Sequence, residues 1–172
     1  MKHFSERIKN PVNKPFVESF AERAGILNHR KASRRMLLYL SGAINNDPNA
    51  LLKFNLAETI LSDRGHIVIN PFHIVKPSGV WGECLAEDLS VLTEIGGYGK
   101  LLHGQLSVYL PTAFFPLPAV CILDDMPSNG RDLEKRFAEL RGIPSVKAET
   151  LVENWNDILA QAIEEAETEV NG

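Results

Sequence analysis

The chain has few cysteines, no excess of positive charge and no sustained apolar run. Cys84 and Cys121 are its two cysteines in 172 residues. They lie far apart and form neither a CxxC pair nor a Cys/His ligand spacing, which argues against a disulfide scaffold and against a zinc site. Cys121 sits in an apolar run and reads as a small core residue. No apolar stretch approaches the ~20 residues that cross a bilayer, and the first residues show no apolar secretion-signal core. The expectation is a cytoplasmic protein with no membrane partner. A net charge of −4 gives no support to a nucleic-acid surface. The one basic cluster, His29-Arg30-Lys31 with Arg34-Arg35, reads more simply as a solvated linker than as a phosphate contact. Neither a Gly-Lys-Ser/Thr phosphate loop nor a GxGxxG fingerprint occurs. The five histidines are scattered; His66 starts a strand and reads as structural, and His73 follows that strand.

What is present is a composition for one globular domain, hydrophobic 44% and charged 23%, in a length that suits a single core. Residues 1–34 are polar and weakly helical around Phe16 to Ala24, and read as an N-terminal extension. Met36 to Leu40 is the first strand signal. A helix fits Asn49 to Arg64, with Leu51, Phe54, Ala57, Ile60 and Leu61 on one face and Gly65 where a C-terminal cap belongs. His66 to Ile69 is a second strand, stopped by Asn70-Pro71. A helix from Glu83 carries Leu85, Leu89 and Leu92 and ends at Gly96-Gly97. The stretch Tyr98 to Pro118 holds a possible strand, Leu106 to Leu110, and the pair Phe114-Phe115, and has no firm assignment. Strand Val120–Leu123 follows, then a helix with Leu133, Phe137 and Leu140 on one face, closed by Gly142. Ile143 to Lys147 is a short strand, and a last helix over Glu149 to Glu169 turns Leu151, Trp155, Ile158, Ala162 and Ile163 inward. Strands alternating with amphipathic helices predict an α/β domain over 35–172, a Rossmann-like (flavodoxin-like) parallel sheet with helices on both faces.

Ligands of such sheets bind beyond the carboxyl ends of the strands. Three segments meet that condition: Tyr39-Leu40-Ser41-Gly42, Asn70-Pro71, and Asp124 to Gly130. Gly42 permits a close backbone approach. Glu134 lies four residues after Gly130, near a helix start and beside the apolar stripe. It reads either as a nucleophile or as a favourable charge at the helix end, and spacing alone favours the second. Asp88, near the apolar face of its own helix, means little by itself.

Taken together, these pieces resemble the nucleoside 2-deoxyribosyltransferase-like superfamily. They are similar to its small phage- or prophage-associated branch and to the deoxynucleoside-monophosphate N-glycosidases. Tyr39-Leu40-Ser41-Gly42-Ala43-Ile44 resembles the opening Tyr-x-x-Gly-x-Ile strand and loop. Gly65-His66-Ile67-Val68-Ile69-Asn70-Pro71 resembles the Gly-His turn and the Asn-Pro strand end. Glu87-Asp88-Leu89 resembles the Asp-Leu helix. Ser128-Asn129-Gly130-Arg131-Asp132-Leu133-Glu134, with Gly142-Ile143-Pro144 at its exit, resembles the Gly-x-x-x-Glu segment. The resemblance spans about residues 36–147, apart from an apparent insertion at about 93–118. It implies that Glu134 is the nucleophile at C1′ of the sugar, that Asp88 helps the base leave, and that Tyr39 orients Glu134. It implies substrate contacts from Ser41, Gly42, Ile44, Asn70, Ser128, Asn129 and Gly130, with Ser128 matching the residue that meets a 5′-phosphate in the hydrolases. Arg131-Asp132 stands where the transferases have small residues. The expected activity is cleavage or transfer at the N-glycosidic bond of a (deoxy)nucleotide or nucleoside, by a homodimer or larger oligomer, with no cofactor and no metal. The alternative is a binding module of the same fold that senses a nucleotide without turnover.

Overall fold

A computed structural model describes residues 14–74 and 116–171. Along the chain these form α1 (Lys14–Arg23), β1 (Met36–Ser41), α2 (Ala50–Asp63), β2 (Ile67–Ile69), α3 (Pro71–Ile74), β3 (Leu117–Ile122), α4 (Asn129–Leu140), β4 (Ser145–Lys147), α5 (Ala148–Leu151) and α6 (Trp155–Asn171). The helix expected from Glu83 with Asp88, the possible strand Leu106–Leu110 and Phe114-Phe115 lie outside the described residues.

The four strands make one all-parallel sheet in the order β2-β1-β3-β4. This is the α/β architecture the alternation of strands and helices predicts. Side chains of a strand alternate between faces, and β1 and β3 divide their apolar residues between two cores accordingly. Leu38, Leu40, Ala119, Cys121 and Leu123 enter the larger core, which also holds Phe54, Ile60, Trp155 and Ala162. Tyr39 and Val120 enter the smaller one, closed by Ala138 of α4 and by Ile143. Helices α2 and α6 therefore cover one face and α4 the other. The chain leaves β1 for β2 over one face and β3 for β4 in the opposite direction over the other. Reversing both face and direction preserves the hand of the crossover. The sheet's switch point is thus the crevice between the carboxyl ends of β1 and β3.

Every residue of α2 from Ala50 to Ala57 is buried. A helix hidden on all sides lies among layers rather than at a surface. It packs against α1, α6, β1 and β2. Two polar residues, Lys53 and Asn55, are buried inside this run, so each must find partners. Helices α2 and α4 both close on glycine with positive φ, Gly65 at +92° and Gly142 at +74°. In each the next residue donates back to the helix, His66 N–H to Leu61 and Ile143 N–H to Ala138, the paired bonds of a Schellman cap.

The structure departs from the sequence expectations in four places. Helix α1 falls inside the segment read as an extension, yet its Val17, Phe20 and Ala21 are buried, the first two in the larger core. β3 begins at Leu117 and contains Pro118, which the sequence placed in the unassigned stretch. Val120 N–H points to the β4 side, bonding Pro144 O. Two residues earlier the missing N–H of Pro118 points the same way, where pairing with β4 has not begun, so no ladder bond is lost. The long last helix is two, broken at Val152–Asn154, with Asn154 at φ +59°. Finally, α4 is turned relative to its apolar stripe. Its buried residues are Glu134 and Ala138, whereas Leu133 is 43% and Leu140 85% exposed. The small Ala138 lets the helix approach Tyr39 and Val120, and that approach carries Glu134 inward. Among the described residues no helix is long and apolar enough to cross a membrane.

Candidate active site

The switch-point crevice is where β1 delivers Ser41 and α4 delivers Glu134. Ser128 starts α4: its hydroxyl accepts from Arg131 N–H at 3.1 Å, the usual side-chain cap of a first turn. Glu134 follows on the sheet-facing side, only 6% exposed. The Ser41 hydroxyl donates to Glu134 Oε1 at 3.2 Å. Ser41 is itself fixed by the ladder, its carbonyl accepting from Leu123 N–H at 2.8 Å. Tyr39, two residues earlier on the same face of β1, is fully buried against Val120, Ala138 and Ile143. A buried carboxylate thus stands in the second turn of α4, with one oxygen held by a hydroxyl.

On the other side of the crevice lies a cluster of charges that spacing did not reveal. Lys53 is 1% exposed. Its ammonium donates to Ala43 O at 3.0 Å, Asp47 Oδ2 at 2.6 Å and Asp124 Oδ2 at 2.5 Å. Asp124 Oδ2 also accepts from Ala43 N–H at 3.1 Å. The other oxygen of Asp124 accepts from Met126 N–H at 2.9 Å and from Arg131 Nη1 at 3.0 Å, and Arg131 Nη1 reaches Asp124 O at 2.8 Å as well. The carboxylate crowds the turn after β1: a Cβ built on Gly42 would lie 2.6 Å from Asp124 Oδ2. Gly42 is therefore required by a close approach, as its position suggests, but the group that approaches is the chain's own carboxylate.

The other expected substrate contacts are dispersed. Ile44 is half-buried and packs on the larger core. Asn70 donates to Asn55 Oδ1 at 3.1 Å and Glu58 Oε2 at 3.0 Å and accepts from Phe72 N–H, so its amide joins the end of β2 to α2 and α3. His73 meets the same Glu58 at 3.0 Å. Asn129 is exposed and Gly130 half-buried. Asp88 lies outside the described residues. His66 accepts from Met36 N–H on Nδ1 at 3.0 Å. Burial, and then the charge of Arg64, hold its pKa below the ordinary value. Burial pushes the Cys121 thiol up to about 12, which keeps it protonated and unreactive. Among the described residues no three His, Cys, Asp or Glu side chains gather to hold a metal. A small, shallow groove opens beside the crevice at the ends of β3 and β4, lined by Asp124, Asp125, Lys147, Glu149 and Trp155.

Sequence reasoning missed Asp47, Lys53, Asp124 and Arg131 as a set. The available signal was Lys53 itself, the one charge inside Ala50-Leu51-Leu52-Lys53-Phe54. No family model matches the chain, and no curated protein or solved structure matches it.

Proposed function

We propose that this chain is a member of the nucleoside 2-deoxyribosyltransferase-like superfamily and cleaves or transfers the N-glycosidic bond of a (deoxy)nucleotide or nucleoside, with Glu134 as nucleophile. The observation that carries the reading is the buried Glu134 carboxylate, oriented by the Ser41 hydroxyl at the switch point of a parallel sheet. Breaking an N-glycosidic bond builds positive charge at C1′, and a carboxylate on one face of the sugar stabilises or captures it. Glu134 attacks C1′, the C1′–N bond breaks, and its electron pair leaves with the base, which takes a proton from an acid. By the resemblance that acid is Asp88. Water or a second base then attacks C1′ and releases the Glu134 carboxylate. Two displacements retain the anomeric configuration.

Ser128 caps α4 by accepting from Arg131 N–H, which leaves its hydroxyl hydrogen to donate to a phosphate oxygen. A second reading, a nucleotide-binding module without turnover, needs the same crevice but no acid to expel the base. The test is incubation with a panel of nucleoside monophosphates and deoxynucleosides, with free base followed by chromatography. The proposal expects base release that Glu134→Gln abolishes. Binding by equilibrium dialysis without base release from any member of the panel establishes the module instead.

A further inference from the structure

The charge cluster has a geometry that a mere stability role does not require. Burying an ion pair contributes little net stability against apolar residues of similar size, yet here four charged side chains converge on the crevice. An ammonium has three hydrogens, and Lys53 directs its donors to Ala43 O, Asp47 Oδ2 and Asp124 Oδ2. None is left for a ligand. Lys53 is therefore a strap, not a phosphate contact.

The contacts of Asp124 trace a closed path. From Ser41 the chain runs through Gly42 to Ala43, whose N–H donates to Asp124 Oδ2 at 3.1 Å. Asp124 Oδ1 accepts from Arg131 at 3.0 Å. Arg131 and Glu134, three residues apart, are neighbours along one side of α4, and Glu134 returns to Ser41 at 3.2 Å. We infer that Asp124 is a positioning residue: neutralised by Lys53 and gripped by Arg131, it ties the β1 turn to the first turn of α4 and so sets the distance between Ser41 and Glu134. The bulky Arg131-Asp132 pair, which departs from the small residues of the transferases, has a local reason here. Arg131 is the arm by which α4 holds Asp124, with Asp132 at 3.5 Å from its other nitrogen.

This inference rests on the proposed role of Glu134, and its test separates the two. Arg131→Ala removes the arm at the rim of the cluster and leaves Lys53 paired with both aspartates; Asp124→Asn is the second variant, and Arg131→Lys the conservative one. Misplacing a reacting group by about 1 Å lowers a rate by about 100-fold. The inference predicts that loss in kcat for Arg131→Ala with KM unchanged, partial recovery in Arg131→Lys, which keeps the charge but not the fork, and a wild-type melting profile for at least one of the impaired variants. A raised KM at unchanged kcat makes Arg131 a substrate contact and overturns the inference, as does full activity in both Arg131→Ala and Asp124→Asn. If the wild-type protein releases no base, the proposed function has failed and the inference is judged on crystal structures alone. Arg131→Ala should then separate Ser41 Oγ from Glu134 Oε1 beyond about 3.5 Å, the outer limit of a hydrogen bond. A retained contact overturns it.

Discussion

Lys53 is held by three acceptors, two of them carboxylates, and 1% of it reaches solvent. Removing the ammonium leaves Asp47 and Asp124 facing each other across its place, with Arg131 near only one of them. Truncating one member of a buried ion cluster costs about 3–5 kcal/mol. We expect Lys53→Met to lower the urea unfolding free energy by an amount in that range. A change under about 1 kcal/mol would mean that the two carboxylates reach water on their own. Such a cluster is hard to read from sequence because it has no period. Asp47 and Asp124 sit in turns, Lys53 in a helix and Arg131 in another, and only the folded sheet brings β1 beside β3. That Ser41 and Glu134 come together was legible for the opposite reason, since a strand end and the helix that follows the next strand converge at the carboxyl edge of an α/β sheet.

At the scale of elements, the helix ends were the most legible features. A chain that must take positive φ after a helix selects glycine, and Gly65 and Gly142 mark those points directly. The facing of α4 was not legible, because Leu133 and Leu140 form an apolar stripe that the structure leaves exposed while Glu134 and Ala138 turn inward. The break before α6 was hidden too, as Asn154 takes φ +59°, which asparagine tolerates better than most residues. Ser128 is the element-level test. As an N-cap, its replacement by alanine should cost about 1 kcal/mol of stability, measured by urea unfolding. As a cap alone, Ser128→Ala should change KM for a nucleoside and for its 5′-monophosphate by the same factor. A rise confined to the monophosphate would give Ser128 the phosphate contact as well.

At the scale of the molecule, the four-stranded parallel sheet gives the crevice its place, and the two cores on opposite faces hold β1 and β3 in register beneath it. His66 helps join that sheet at its other end by accepting from Met36 N–H. Its pKa is lowered on folding, so the unfolded chain binds the proton more readily than the folded one. The His66 contribution to stability is therefore complete above the ordinary histidine value of 6.5 and is lost as pH falls below that value through the folded pKa. Urea unfolding across pH 7.5 to 5, about the range of histidine titration, should show a decline that is reduced in His66→Gln. An equal decline in both proteins would place its origin elsewhere.

The central claim is that Glu134 bonds to C1′ during turnover. The most direct measurement is mass spectrometry of acid-quenched protein, digested and mapped after mixing with the substrate that releases base fastest. The account predicts a peptide containing Glu134 heavier by the sugar or sugar phosphate, and no such peptide from Glu134→Gln. Base release with no adduct, undiminished in Glu134→Gln, would contradict it.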